Sequence, residues 1–284
     1  MSGALVVARY ALRESVRRRV IVVVLLLTAG FLALYWLGAQ AAFDEVERFG
    51  EGGSELDEQV LTGSTLFGLA MFTTLFLGAV LAAFLTLSSV GGDAERGLLQ
   101  PLVVRPVGRT SLLLGRFLGA AAVCAVYVAG VYLAAMLITA ATGGWWPDRI
   151  VTPGLGLVVG VLVIAALSLL GSVFLSSTAN GIAVFMLFGA GLAAGLLGQI
   201  GDALAVETLE DVATATSWLL PFEALYQAGL DALTEDVGGV TGVIVQLGPF
   251  GGAREAGPLL WLWSLAYLAI VGLAARAAFA RRDL

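Results

Sequence analysis

Residue types able to do chemistry are scarce in this chain of 284 residues. It has no His, a single Cys (Cys124) and no Lys, all fifteen basic residues being Arg. A Ser-His-Asp or Cys-His nucleophile, a His-ligated zinc or haem and the HExxH helix of zinc peptidases each need an imidazole, so those chemistries are excluded. The phosphate-binding loop GxxxxGK[ST] needs a Lys to reach the terminal phosphates, so the chain carries no conventional ATP site of its own. One Cys closes no internal disulfide, and Cys124 reads as a small apolar filler. Soft metal ions would find few ligands among four Met and one Cys. No catalytic, cofactor-binding or metal-ligating residue is therefore expected, and the chain does not read as an enzyme.

The elements that must position the remaining charges are membrane helices. The composition is 59% hydrophobic and 13% charged, against roughly 25% charged in a soluble domain. Uncharged runs cover 20–43, 59–92, 117–147, 150–201 and 256–275. A bilayer core of ~30 Å takes about 20 helical residues. Four runs then hold one span each and the 52-residue run holds two. The expectation is a single all-α integral membrane domain over 1–284 with six spans, near 20–42, 61–90, 112–141, 155–177, 181–200 and 259–279. Ser176 to Gly181 supplies small, hydrogen-bonding residues for the turn inside the longest run. The prolines at 101, 106, 147, 153, 221, 249 and 258 avoid the proposed helix interiors. The first run exceeds the 7–15 residues of a signal-peptide core, so it reads as a retained helix. The stretch 237–253 is uncharged but short, Gly-rich and interrupted by Pro249, and reads as an interfacial or re-entrant loop rather than a seventh span.

Orientation follows from Arg. With the N-terminus inside, twelve of the fifteen Arg fall on cytoplasmic segments, while the outer segments hold Arg48, Arg149 and Arg254 with seventeen of the 21 acids. The inside then carries 12 − 4 = +8 and the outside 3 − 17 = −14, which obeys the positive-inside rule with both termini cytoplasmic. With the two signs on opposite sides of the bilayer, the acidic total says little about nucleic acid or acidic ligands, and no nucleic-acid partner is expected.

Four segments stand out beyond the spans. Residues 2–19 place Leu5, Ala8, Leu12 and Val16 in one stripe with Arg9, Arg13 and Arg17 beside it, the pattern of an amphipathic helix at the lipid surface. The stretch from Gly91 to Arg116 interleaves Leu98, Leu99, Leu102, Val103 and Val104 with Asp93, Glu95, Arg96, Arg105 and Arg109, offering charge and apolar surface to a cytoplasmic partner. The fifth span is dense in small residues, including Gly189 and the GxxxG pair Gly191 and Gly195, which suit close helix packing within a subunit or between subunits. In the outer segment, Phe222, Leu225, Tyr226, Gly229 and Leu233 recur at helical spacing after Pro221, which predicts a short helix lying on the outer leaflet. Trp145, Trp146 and Trp218 suit the headgroup zone. Glu207, Glu210, Asp211 and the acids from Asp44 to Glu58 read as solvated faces rather than cation sites. The spans contain only hydroxyls, amides and aromatic polar tips, such as Thr73, Thr74, Thr86, Tyr127, Tyr132, Ser168, Ser172 and Gln199. Ion-coupled carriers usually place ionisable groups at mid-membrane, and none is expected here, so energy for uphill movement would arrive from outside the chain.

The string Glu95-Arg96-Gly97, an apolar stretch, then Arg105-Pro106-Val107-Gly108-Arg109 and Leu114-Gly115-Arg116, resembles the loop between the second and third helices of ABC-2 type permeases. In that family a Glu, a Gly-Thr pair, a Pro-x-x-Arg and a Gly-Lys recur at this spacing. Leu98 stands where Thr is usual and Arg116 where Lys is usual. The ending Phe279-Ala280-Arg281-Arg282-Asp283-Leu284 is similar to the family's C-terminus. The resemblance implies a permease, the membrane subunit of an ATP-driven exporter, working as a homodimer or with a related permease. A separate cytoplasmic ATP-binding cassette ATPase would bind the ATP and Mg2+. It also implies a coupling segment at Asp93, Glu95, Arg96, Gly97, Arg105, Pro106 and Arg109, a smaller ATPase contact at Ser177 and Asn180, and helices one, two and five near the dimer interface. One branch of similar chains serves multicopper-enzyme or nitrous oxide reductase maturation. The alternatives are a non-transporting membrane scaffold or assembly factor and an ion-coupled secondary transporter.

Overall fold

The computed structural model describes residues 19–49, 57–87, 109–233, 235 and 257–281. Eight α-helices fill them: α1 (Arg19–Phe49), α2 (Glu58–Thr86), α3 (Arg109–Gly143), α4 (Val151–Phe174), α5 (Ser177–Leu204), α6 (Glu207–Leu219), α7 (Pro221–Asp231) and α8 (Pro258–Ala280). Six of them are long and apolar enough to cross a membrane, namely α1 to α5 and α8. Residues 2–18 of the expected amphipathic helix, residues 91–108 of the expected coupling segment and the Gly-rich stretch 237–253 lie outside the described residues.

Local chemistry sets the helix ends. The Asp57 carboxylate caps α2 by accepting from Val60 N at 3.1 Å, and Pro occupies the first turn of α7 and α8, where its missing N–H has no intrahelical partner to lose. Ser176 caps α5, its hydroxyl accepting from Ala179 N at 3.4 Å. The connection between α4 and α5 is consequently just Leu175 and Ser176, shorter than the six-residue turn expected there, and residues 177–181 form the first turn of α5. A capping hydroxyl lets the helix restart at once.

Alternating helices give the bundle two chemically different ends. Arg109, Arg116, Arg276 and Arg281 lie toward the end where α3 begins and α4 and α8 finish, and there Leu113, Leu169, Val173, Ala275 and Phe279 pack together. Asp44, Glu45, Asp57, Glu58, Asp148, Asp202 and Glu207 lie toward the other, where Phe43 meets Gly143 and Trp145 meets Gly63. These are called the basic and acidic ends below. The core runs through α2, α3, α4 and α7 around Phe67, Met71, Leu75, Val128, Leu157 and Tyr226, with Cys124 buried inside it. In contrast, α1 and α8 keep Leu25, Leu26, Leu34, Leu262, Leu265 and Leu273 exposed, as a lipid-facing or subunit-facing surface requires.

Hydroxyls in the spans are spent on structure. Thr73, Thr74, Thr139 and Thr142 donate to carbonyls four residues earlier, which satisfies a polar group where no water is present. Others tie helices together: Tyr35 to Thr139 at 2.6 Å, Thr28 to Tyr127 at 2.5 Å, and Thr86 Oγ1 donating to Ser168 Oγ at 2.6 Å.

Candidate functional site

Between α5 and α8 the chain turns back into the bundle. Ala205, in the left-handed region at φ 53, ends α5, and Val206 N returns to the Gly201 carbonyl at 3.0 Å. The helix α6 then descends along α5. At Pro221 the direction reverses and α7 climbs back along α4 in the opposite sense: Phe222 lies against Gly160, Leu225 against Gly156 and Gly229 against Pro153. Beyond α7 the chain is held to the α3–α4 connection, where Asp148 N and Arg149 N donate to the carbonyls of Leu233 and Ala232 at 3.1 Å. Nine helical steps separate Val151 from Gly160, so the tip of this hairpin lies roughly 14 Å inside the start of α4 at ~1.5 Å per residue. That is close to half of a ~30 Å hydrocarbon core.

The helix expected after Pro221 is therefore present but not on the outer leaflet. Phe222, Leu225 and Tyr226 are fully buried, and Tyr226 donates to the Gly68 carbonyl of α2 at 3.3 Å. Phe222 stacks on Phe188 of α5 with ring centroids 5.5 Å apart. The reason is a missing volume: Gly156 and Gly160 of α4 and Gly191 and Gly195 of α5 leave a trench into which α7 fits. A Cβ at Gly156 would stand 2.8 Å from the Leu225 carbonyl oxygen, and one at Gly191 would overlap the Phe222 ring. The GxxxG pair of α5 thus serves packing inside one subunit. Gly189, on another face, has nothing within 4 Å of a built Cβ.

One ionisable side chain enters with the hairpin. Glu223 is 3% exposed, and its Oε1 accepts from Gln227 Nε2 at 2.5 Å, directly beneath Gly195. This corrects the expectation that no ionisable group reaches mid-membrane depth. Glu223 belongs to a segment that reads as extramembrane because its neighbours carry acids, and only the fold carries it inward. Its place in the first turn of α7 puts the carboxyl at the positive end of that helix dipole, which together with the Gln227 amide offsets part of the burial cost. The helix α6 was not anticipated at all. Its traces in the sequence are Glu207 and Glu210 in a first turn and hydroxyls at Thr216 and Ser217, which bond back to Val212 and Thr214.

At the basic end the α4–α5 turn is tied down by Asn180. Its Nδ2 donates to the Ser168 carbonyl at 2.8 Å, the residue is 1% exposed, and its Oδ1 is buried against Gly171 without a hydrogen-bond partner. Asn180 hence faces α4 and not the outside of the subunit, unlike the surface role expected of it. Ser177 beside it is partly exposed. Substituting Asn180→Ala removes one buried hydrogen bond and is expected to cost about 1 kcal/mol, read as a lowered thermal midpoint in detergent. Arg109 is the first residue of α3. Asp93, Glu95, Arg96, Gly97, Arg105 and Pro106 lie outside the described residues.

Of the expected aromatic anchors, Trp145 is buried against Phe67, whereas Trp146 and Trp218 are exposed. Trp218 also accepts from Trp263 Nε1 through its carbonyl at 2.9 Å, fixing α6 to α8. Arg149 and Glu235 form an ion pair at 3.0 Å, both well exposed, a geometry that contributes little.

What this arrangement offers is exposed apolar helix faces and one inserted hairpin, with no constellation for covalent chemistry among the described residues. No curated protein matches the chain. The family model described as ABC-2 family transporter protein matches residues 5–284, nearly the whole length. This chain belongs to the ABC-2 family of transporter membrane proteins.

Proposed function

We propose that this chain is the permease subunit of an ATP-driven exporter, with both termini cytoplasmic and a second permease completing the unit. The observation that carries the proposal is a family match over 5–284 in a chain without a single Lys. A transporter of this family that lacks a phosphate-binding Lys draws its energy from an ATP-binding cassette partner, which holds ATP and Mg2+. The partner docks at the basic end, through Glu95, Arg96, Gly97, Pro106 and Arg109, and Ser177 adds a peripheral contact. Export proceeds along the permease–permease interface at α1, α2 and α5. Their exposed apolar side chains, Leu26, Leu34, Phe76, Ile182 and Met186 among them, support that placement. The absence of His and the scarcity of Met and Cys disfavour naked copper ions as cargo even if the chain serves metalloenzyme maturation.

The test is reconstitution of the full chain with its cognate ATPase. Glu95→Arg and Arg109→Glu each reverse a charge at the docking surface, where losing one partner of a charge pair typically costs about 2–5 kcal/mol. Stimulation of ATP hydrolysis by the permease should fall by roughly tenfold or more, with thermal unfolding of the permease unchanged. Full stimulation in both variants would overturn the docking assignment. Failure of the unmodified chain to associate with any ATPase would favour a membrane scaffold. Because Cys124 is buried, a cysteine introduced at Arg105 reports its side of the membrane cleanly. Labelling by an impermeant reagent in intact cells would reverse the orientation.

A further inference from the structure

At the basic end a cleft of about 370 Å³ opens between α3, α4 and α8. Its walls are Leu113, Phe117, Leu169, Leu268 and Leu273, and its polar edge is Arg276 with Thr110. The cleft exists because α8 presents Ala269, Gly272 and Ala275 there and α4 presents Ala166, none of which fills the space. Gly272 has nothing within 4 Å of a built Cβ. Along α8 the polar edge and the deepest lining residue, Leu268, are eight residues apart, or roughly 12 Å, which spans most of one ~15 Å leaflet. Arg276 is exposed, one turn before α8 ends at Ala280.

We infer that this cleft binds one anionic phospholipid from the leaflet at the basic end, an acyl chain lying along Phe117 and Leu268 and the phosphate resting on Arg276. The charge pattern selects this occupant. An apolar slot open to the bilayer takes a hydrocarbon chain, and a cation at its rim takes an anion attached to that chain. A guanidinium offers a planar pair of donors to phosphate oxygens, and Thr110, which lines the same cleft, carries a further hydroxyl donor. None of its lining residues belongs to α1, α2 or α5, so the site is separate from the proposed transport route.

The experiment is native mass spectrometry of the full chain in detergent with equal amounts of phosphatidylglycerol and phosphatidylcholine of identical acyl chains. One bound phosphatidylglycerol should be retained with about tenfold preference, the size of one charge-assisted contact. Arg276→Gln should bring the preference near unity. Arg281→Gln removes the same charge outside this cleft and should leave the preference intact. Gly272→Leu fills the slot and should abolish retention of both lipids, while its thermal midpoint stays at or above that of the parent because Leu is the better helix former. The inference is overturned if the unmodified chain shows no preference, if the two Arg variants lose it equally, or if Gly272→Leu keeps the lipid. A lipid-free dimer whose contact is lost in Gly272→Leu would assign the slot to a second copy and overturn it too.

Discussion

Gly156→Leu is expected to unseat the inserted hairpin and to be the most damaging single substitution among the described residues. At this position the obstacle is main chain: a Cβ would stand 2.8 Å from the Leu225 carbonyl oxygen, and a carbonyl in the middle of α7 cannot swing aside as a side chain can. To accept Leu, α4 and α7 must separate, which opens the contacts of Phe222, Leu225 and Tyr226 together. In lipid these helices gain little from expelling water, so their association rests on close van der Waals contact, and separation is costly. Overpacking a tight site typically costs about 1–3 kcal/mol and occasionally more, and the upper end applies here. The measurement is the thermal midpoint of the purified protein in detergent. Gly130→Leu is the control, since a Cβ at Gly130 meets nothing within 4 Å. Equal midpoints for the two variants would contradict the proposed close contact of α4 and α7.

The second large effect concerns the buried carboxyl, and its signature is non-additivity between two substitutions rather than a single loss. Glu223→Ala removes the acceptor for Gln227 Nε2 and empties space beneath Gly195. An unmade buried hydrogen bond and a small void together cost about 2–3 kcal/mol. Gly195→Ala alone forces a methyl onto the carboxyl, with the Glu223 Cδ only 2.7 Å from the new Cβ and Gln227 Nε2 at 3.0 Å, and is expected to cost about 2 kcal/mol. In the double variant the methyl enters the space that the carboxyl has vacated. The pair should therefore be less destabilised than the sum of the singles by roughly 1–2 kcal/mol, within the range seen for residues in contact. Equilibrium or thermal unfolding of all four proteins closes the cycle. Strict additivity would mean that Glu223 does not lie under Gly195.

The linear chain determined the parts of this protein that depend on local composition. Long uncharged runs between clusters of charge must become helices in a bilayer, since every backbone N–H and C=O needs an internal partner there. The six membrane-spanning helices are accordingly readable from spacing alone, the second as one long helix and the first as an apolar span. Pro221 marked a helix start for an equally local reason, and the family resemblance rested on a contiguous motif. The tertiary structure alone decided what fills the bundle. The string from Glu207 to Asp231 carries acids and hydroxyls at a density that reads as solvent-exposed, yet its second half lies in the core. A trench of Gly at 156, 160, 191 and 195, contributed by two successive helices, receives α7. Glu223 was drawn inward by the same cause, and Asn180 was turned inward by another gap, the missing side chain at Gly171 beside the Ser168 carbonyl. Hydrophobic periodicity records which face of a segment is apolar. Whether that face meets lipid or another helix depends on the absence of side chains elsewhere in the chain, which no local pattern contains.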